Sequence, residues 1–236
     1  MSDEPRHDEP HHGNIAGRLN WLRAGVLGAN DGIVSTAGIV LGVAAAADSR
    51  TTIVTAGVAG LAAGAMSMAV GEYVSVSSQR DTERALLARE GRELRETPDE
   101  ELVELTDLYA VKGLSRQLAA EVAEQLTAHD ALAAHAEIEL GINPGNLTSP
   151  WHAAIASLTA FALGALLPLV AIAVPPSHLR VPVTVAAVLA ALGLTGVIAG
   201  RIGEASIARG LWRNVMGGTV AMAVTYGIGT LVGQVV

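Results

Sequence analysis

Cysteine is absent from the 236-residue chain, which excludes disulfides and thiolate metal sites. Any bound metal must take carboxylate, carbonyl, imidazole or thioether ligands, a donor set that favours Mg, Ca, Mn or ferrous iron over structural zinc. Aromatic residues make up only 3% of the chain and charged residues 16%. No G-x-x-x-x-G-K-[ST] loop occurs, which argues against ATP-driven chemistry within this chain. A nucleophile elbow and a haem attachment motif are missing too. The formal net charge of -8 argues against nucleic acid and for cations as partners.

What is present is apolar and small. Half of the residues are hydrophobic, glycine numbers 26 and the mean hydropathy is +0.41. Ala and Gly in long uncharged runs suit close-packed membrane helices. Five segments reach the roughly 20 residues that one bilayer crossing requires. They lie near 24–47, 52–75, 152–174, 181–200 and 214–236. The predicted fold class is all-α: a polytopic membrane protein with five transmembrane helices and a helical domain inserted between spans two and three. The division is 1–20 as a disordered polar tail, 21–78 as spans one and two, 79–148 as a cytoplasmic acidic metal-binding domain, and 149–236 as spans three to five. The tail lacks the basic start and apolar core of a cleavable signal peptide, so the first span is expected to be retained.

Charge predicts the orientation. Thirteen Lys and Arg fall on one side of the five spans, against Arg50 and Arg180 on the other. The richer side is cytoplasmic by the positive-inside rule. Trp21, Trp151 and Trp212 each fall where a span begins on that same side, and indole prefers the headgroup layer. The expectation is a multi-pass inner-membrane protein with a cytoplasmic N-terminus and an external C-terminus.

The middle block, roughly 76 to 150, reads as helical. It carries 15 of the 23 acids, between Asp81 and Glu139. Span two is expected to continue outward as an amphipathic helix until Thr97-Pro98-Asp99 breaks it and starts another. Leu118, Val122, Leu126 and Leu132 recur at helical spacing in a further helix. Pro168 is expected to kink span three. Gly28/Gly32, Gly60/Gly64 and Gly196/Gly200 are small-xxx-small pairs that permit close helix approach, within or between subunits.

Three groups of residues could carry chemistry. Asp31 lies in the apolar stretch "LRAGVLGANDGIVSTAGIVLGVAAA". A carboxylate at bilayer depth costs at least about 2.5–3.5 kcal/mol and persists mainly beside a cavity, a partner or an ion path. The bland alternative is a hydrogen bond to Asn30, Ser35 or a neighbouring helix. Asp31 and Met68 both sit about 10 Å from the cytoplasmic ends of their antiparallel spans, at 1.5 Å per residue. Glu72 lies four residues past Met68 and shares its helix face. Met68 could equally be packing filler.

The second group is the Glu-x-x-Glu pairs Glu90/Glu93, Glu101/Glu104 and Glu121/Glu124, extended by His135, Glu137 and Glu139 in "HAEIEL". Like charges three residues apart repel unless a cation lies between them, and facing helices with such pairs build iron and manganese carboxylate sites. A solvated acidic helix with Arg89 and Arg92 alongside is the alternative. The third group, His7, His11 and His12, fits a polar tail better than a metal site. Arg201 and Glu204 are expected to pair at a span end.

The segments "NWLRAGVLGANDGIVSTAGIVLGVAAA", "AGLAAGAMSMAVGEYVSVSSQRDTE", "SPWHAAIASLTAFALGALLPL" and "AVTYGIG" resemble the vacuolar iron transporter family, from about residue 20 onward. The resemblance implies a homodimer with two first spans facing across a shared ion path, and a helical cytoplasmic metal-binding domain. It also implies export of ferrous iron or related divalent metals, Mn2+ among them, in exchange for protons, with no organic cofactor. Asp31 and Met68 would line the path, and Glu90, Glu93, Glu101, Glu104 and Glu139 would bind metal. Two departures stand out. His135 and Ala136 replace methionines found in some members before the last glutamate, and Gly60 stands where some carry an acid. The rival reading is a membrane-anchored carboxylate oxidase or metal sensor, with the spans as anchors.

Overall fold

The computed structural model describes residues 15–203 and 205–235, and side chains from Gly25 onward. His7, His11, His12 and Glu204, and the side chain of Trp21, lie outside the described residues. Seven α-helices account for the described fold, and it contains no strand. They are α1 (Ile15–Ala46), α2 (Arg50–Glu96), α3 (Pro98–Val111), α4 (Arg116–His135), α5 (Pro150–Ala173), α6 (Ser177–Ile202) and α7 (Ile207–Gly233). A π-helical turn, Ala136–Leu140, follows α4 directly. The chain forms two compact units, one of residues 1–72 with 151–236 and the other of residues 73–150.

In the first unit α1 packs against α6 and α7, which also pack against each other. Its core joins Ile33, Ala37, Val40 and Leu41 of α1 to Ile53, Ile172, Val188, Leu192 and Met222. Large apolar side chains also cover the outside: Leu163, Leu194, Val220 and Leu231 are exposed. Among the described residues, five helices are long and apolar enough to cross a membrane.

Glycine lets the backbones touch. A Cβ on Gly32 would collide with the Phe161 carbonyl of α5 and come within 2.9 Å of the Ala165 nitrogen. On Gly196 it would lie 2.8 Å from Cα of Leu211 in α7. These pairs therefore serve packing within the chain, as does Gly64 beneath the Phe161 ring.

Element ends follow local chemistry. α7 begins seven residues before the expected 214, because Ser206 caps it by accepting from the Arg209 amide at 3.4 Å. Trp212 consequently sits inside the helix rather than before it. α5 continues past Pro168, whose side chain is buried.

The second unit follows where α2, unbroken, runs beyond the apolar stretch. Thr97 ends it, and Pro98 occupies the first turn of α3, where its missing N–H costs nothing. Asp99, Glu100 and Glu101 then face the positive end of the helix dipole. Ser115 caps α4. The face of α4 that is fully buried carries Ala119 and Ala123, while Leu118 is exposed. α3 packs against α4. α4 is interrupted at Asp130, which has extended backbone (φ -160°, ψ 95°) and re-caps the following turns by accepting from the Ala133 amide at 3.0 Å. Gly141, at φ 63°, closes the π turn in the left-handed conformation that favours glycine.

Candidate metal centre

Four ionisable side chains of the second unit converge on one point. Glu90 comes from α2, Glu101 from the first turn of α3, His135 from the end of α4 and Glu139 from the π turn. Nδ1 of His135 lies 3.1 Å from Glu90 Oε1, 3.7 Å from Glu101 Oε2 and 3.9 Å from Glu139 Oε2. Ligand atoms of Glu90, His135 and Glu139 all fall within 4.8 Å of one another. The Thr97-Pro98 break lets α3 present Glu101 here. The π turn, a form frequent at functional sites, carries Glu139.

Burial makes this arrangement costly as it stands. His135 is fully buried, and Glu90 is 3% exposed. Neither ring nitrogen of His135 has a hydrogen-bond partner, nor does Glu90 Oε1, despite its ion-pair distance from the imidazole. Unsatisfied buried polar atoms of this kind cost on the order of 1–3 kcal/mol each. Burial pushes the Glu90 carboxyl up to about 7, and repulsion from Glu139, Glu101, Glu93 and Glu104 adds to the rise. Glu101 is raised in the same way by burial and by Glu104, against a partial offset from His135. A cation at the centre would satisfy the orphaned atoms and cancel the repulsion together. One imidazole with three carboxylates is a donor set for a first-row divalent metal.

The remaining acids lie outside this knot. Glu93 accepts from Nε of Arg89 at 2.9 Å, so here the ordinary arginine-neighboured helix face is what the structure adopts. Glu104 and Glu137 are exposed. Glu121 and Glu124 are exposed as well, and Glu121 accepts from Gln117 at 3.3 Å.

In the first unit Asp31 is exposed on α1, one turn beyond Leu27, which is 62% exposed. Its carboxylate has no hydrogen-bond or ion-pair partner among the described residues. Neither bland alternative occurs: Ser35 Oγ donates to the Asp31 main-chain carbonyl at 2.6 Å, and Asn30 accepts from Thr195. Met68 is half-buried against Ala65, Phe161 and Ala165. Glu72, also half-buried, continues that face of α2, whereas Met66, Val70 and Val74 are exposed. No hydrogen bond or ion pair links Asp31, Met68 and Glu72 among the described residues.

Two features escaped the sequence. The Asp130 interruption has no proline or glycine to announce it, although an aspartate three residues before a satisfied amide is a usable cap signal. The bridge from Asn30 to Thr195 depends on helices 165 positions apart and leaves no local trace.

Five apolar helices of bilayer length among the described residues define a multi-pass membrane protein, and its acidic unit carries a carboxylate–imidazole group that could hold a metal ion. The chain belongs to the VIT family, whose profile matches residues 22–230. It is 42% identical over 228 residues to "Vacuolar iron transporter" of Acanthamoeba castellanii, covering 96% of this chain and 84% of that protein. It is 38% identical over 216 residues to "Vacuolar iron transporter homolog 5" of Oryza sativa subsp. japonica, covering 91% and 82%. "Vacuolar iron transporter homolog 4" of Arabidopsis thaliana is 38% identical over 218 residues, covering 92% and 86%.

Proposed function

We propose that this protein is a secondary transporter, not an enzyme, that moves ferrous iron, and Mn2+ as a second substrate, out of the cytoplasm in exchange for protons. The observation that carries the reading is one chain holding both a Glu90–Glu101–His135–Glu139 knot, in which Glu90, Glu101 and His135 are buried and the His135 nitrogens and Glu90 Oε1 are unsatisfied, and an unpartnered acid, Asp31, on an apolar span. The vacuolar iron transporters among its relatives supply the substrate class. The acidic domain of residues 79–148, within the second unit and on the cytoplasmic side, captures metal, with Glu93, Glu104 and Glu137 as an outer acidic rim. Metal then passes Glu72 and Met68 to Asp31. Protonation and metal occupancy compete at that carboxylate, which is a physical basis for antiport.

An unpaired carboxylate facing lipid is too costly to keep. Two copies that face each other through the Leu27–Asp31 side of α1 would enclose it, so the working unit is a homodimer in the inner membrane, with N-termini inside and C-termini outside. The test is Fe2+ or Mn2+ uptake into vesicles with the cytoplasmic face outward and an acidic lumen. Uptake should require the pH gradient and disappear in Asp31→Asn. Full-rate transport by that variant would exclude the mechanism and leave the anchored oxidase or sensor as the better reading.

A further inference from the structure

The spans hold a second polar assembly that the ion path does not use. Thr195 Oγ1 on α6 donates to Asn30 Oδ1 on α1 at 2.6 Å, and Asn214 Nδ2 on α7 donates to Thr195 Oγ1 at 3.4 Å. Three helices are therefore tied at one half-buried place inside the apolar unit.

Asn30 immediately precedes Asp31. Successive residues of an α-helix point about 100° apart, so an anchor on Asn30 sets the direction of Asp31. The neighbouring face of α1 is held independently. Gly28 and Gly32 seat it on the backbone of α5, and a Cβ on Gly28 would meet the Ser157 carbonyl at 3.3 Å. With one face against α5 and the amide bound to Thr195 of α6, which Asn214 of α7 holds in turn, the side carrying Leu27 and Asp31 is left open.

We infer that Asn30, Thr195 and Asn214 are positioning residues that fix the rotation of α1 and so aim Asp31. The bridge can also open. The Thr195 hydroxyl has one proton and two acceptors within reach, Asn30 Oδ1 at 2.6 Å and the Leu192 carbonyl of its own helix at 3.1 Å. Releasing Asn30 leaves the hydroxyl bonded to its own helix, a fallback open to threonine in any helix. The contact between α1 and α6 is thus a two-position element beside the proposed ion site. The functional consequence rests on Asp31 being the path acid; the geometric one does not.

The experiment uses the full chain and two readouts. Thr195→Val removes the hydroxyl at nearly constant shape, and Thr195→Ser keeps it. In vesicle flux, Thr195→Val should raise the KM for Mn2+ by about threefold or more, the factor carried by an average interhelical hydrogen bond in a membrane. Thr195→Ser should match the native protein. Because the chain has no cysteine, Asp31→Cys introduces a single thiol whose labelling rate by a charged reagent reports its direction. That rate should change by a comparable factor when Thr195→Val is added and stay put with Thr195→Ser, with Asn214→Leu as a second route to the same change. Unaltered labelling in both Thr195→Val and Asn214→Leu overturns the inference, as does a Thr195→Ser protein that behaves like Thr195→Val. Should Asp31→Asn transport normally, the path reading fails while labelling still decides the bridge.

Discussion

The two units of this molecule treat the same functional group in opposite ways. In the acidic unit Glu90 is buried beside two other acids and an imidazole, and burial pushes its carboxyl up to about 7. In the apolar unit Asp31 stands alone and exposed on a helix otherwise built for lipid. A buried cluster can be stabilised locally, by a proton or by one metal ion shared among its members. A lone acid on a span has no such neighbours and must be covered by something that comes to it. The first arrangement suits capture, the second suits passage.

The most drastic way to break that contrast is to neutralise the lone acid. Asp31→Asn should reduce vesicle flux to background while leaving the Mn2+ binding that depends on His135 intact, as measured by calorimetry. Removing the imidazole should do the reverse first. His135→Ala should weaken Mn2+ binding by at least the roughly 10–100-fold that follows even from losing an outer-shell partner of a metal.

A third test addresses packing in the apolar unit. Gly32→Ala drives a methyl group into the Phe161 carbonyl of α5, and overpacking of this kind costs about 1–3 kcal/mol. Thermal unfolding in detergent should register that loss.

The pH dependence of the acidic unit is subtler. Glu90 is raised from 4.5 to about 7, so the metal-free folded chain holds a proton that the unfolded chain has lost within that interval. Stability of the metal-free chain should accordingly be greatest below 4.5 as far as Glu90 is concerned, and fall as pH rises through about 7. Metal affinity should rise over the same interval, since the ligand must first lose its proton. Glu90→Gln should flatten the stability profile in a chemical-denaturation series. Arg89→Ala should have the smallest effect, no measurable change in unfolding, because the Arg89–Glu93 pair is exposed to water.

Much of the architecture was legible residue by residue. Apolar runs of bilayer length announce themselves, and Pro98 marks its helix start because proline lacks the donor that a helix interior needs. The acids were visible as candidates, yet spacing could not sort them. Glu90 and Glu93 look equivalent at three residues apart, but one is buried beside His135 and the other pairs with Arg89. Leu118 begins the apolar repeat of α4 yet is exposed, while Ala119 and Ala123 are the buried residues of that helix. α7 starts early because a serine cap, not hydropathy, set its boundary.

Composition and periodicity by themselves determined that this chain is helical, has five apolar helices of bilayer-crossing length and concentrates its acids between the second and third of them, since each of these depends on residues near one another along the chain. Only the tertiary structure decided which acids meet, that His135 sits unpartnered among them, and that Asn30 is tied to Thr195 rather than to Asp31. Those outcomes depend on how helices distant in sequence rotate and close against one another, and local residue pattern carries no record of that.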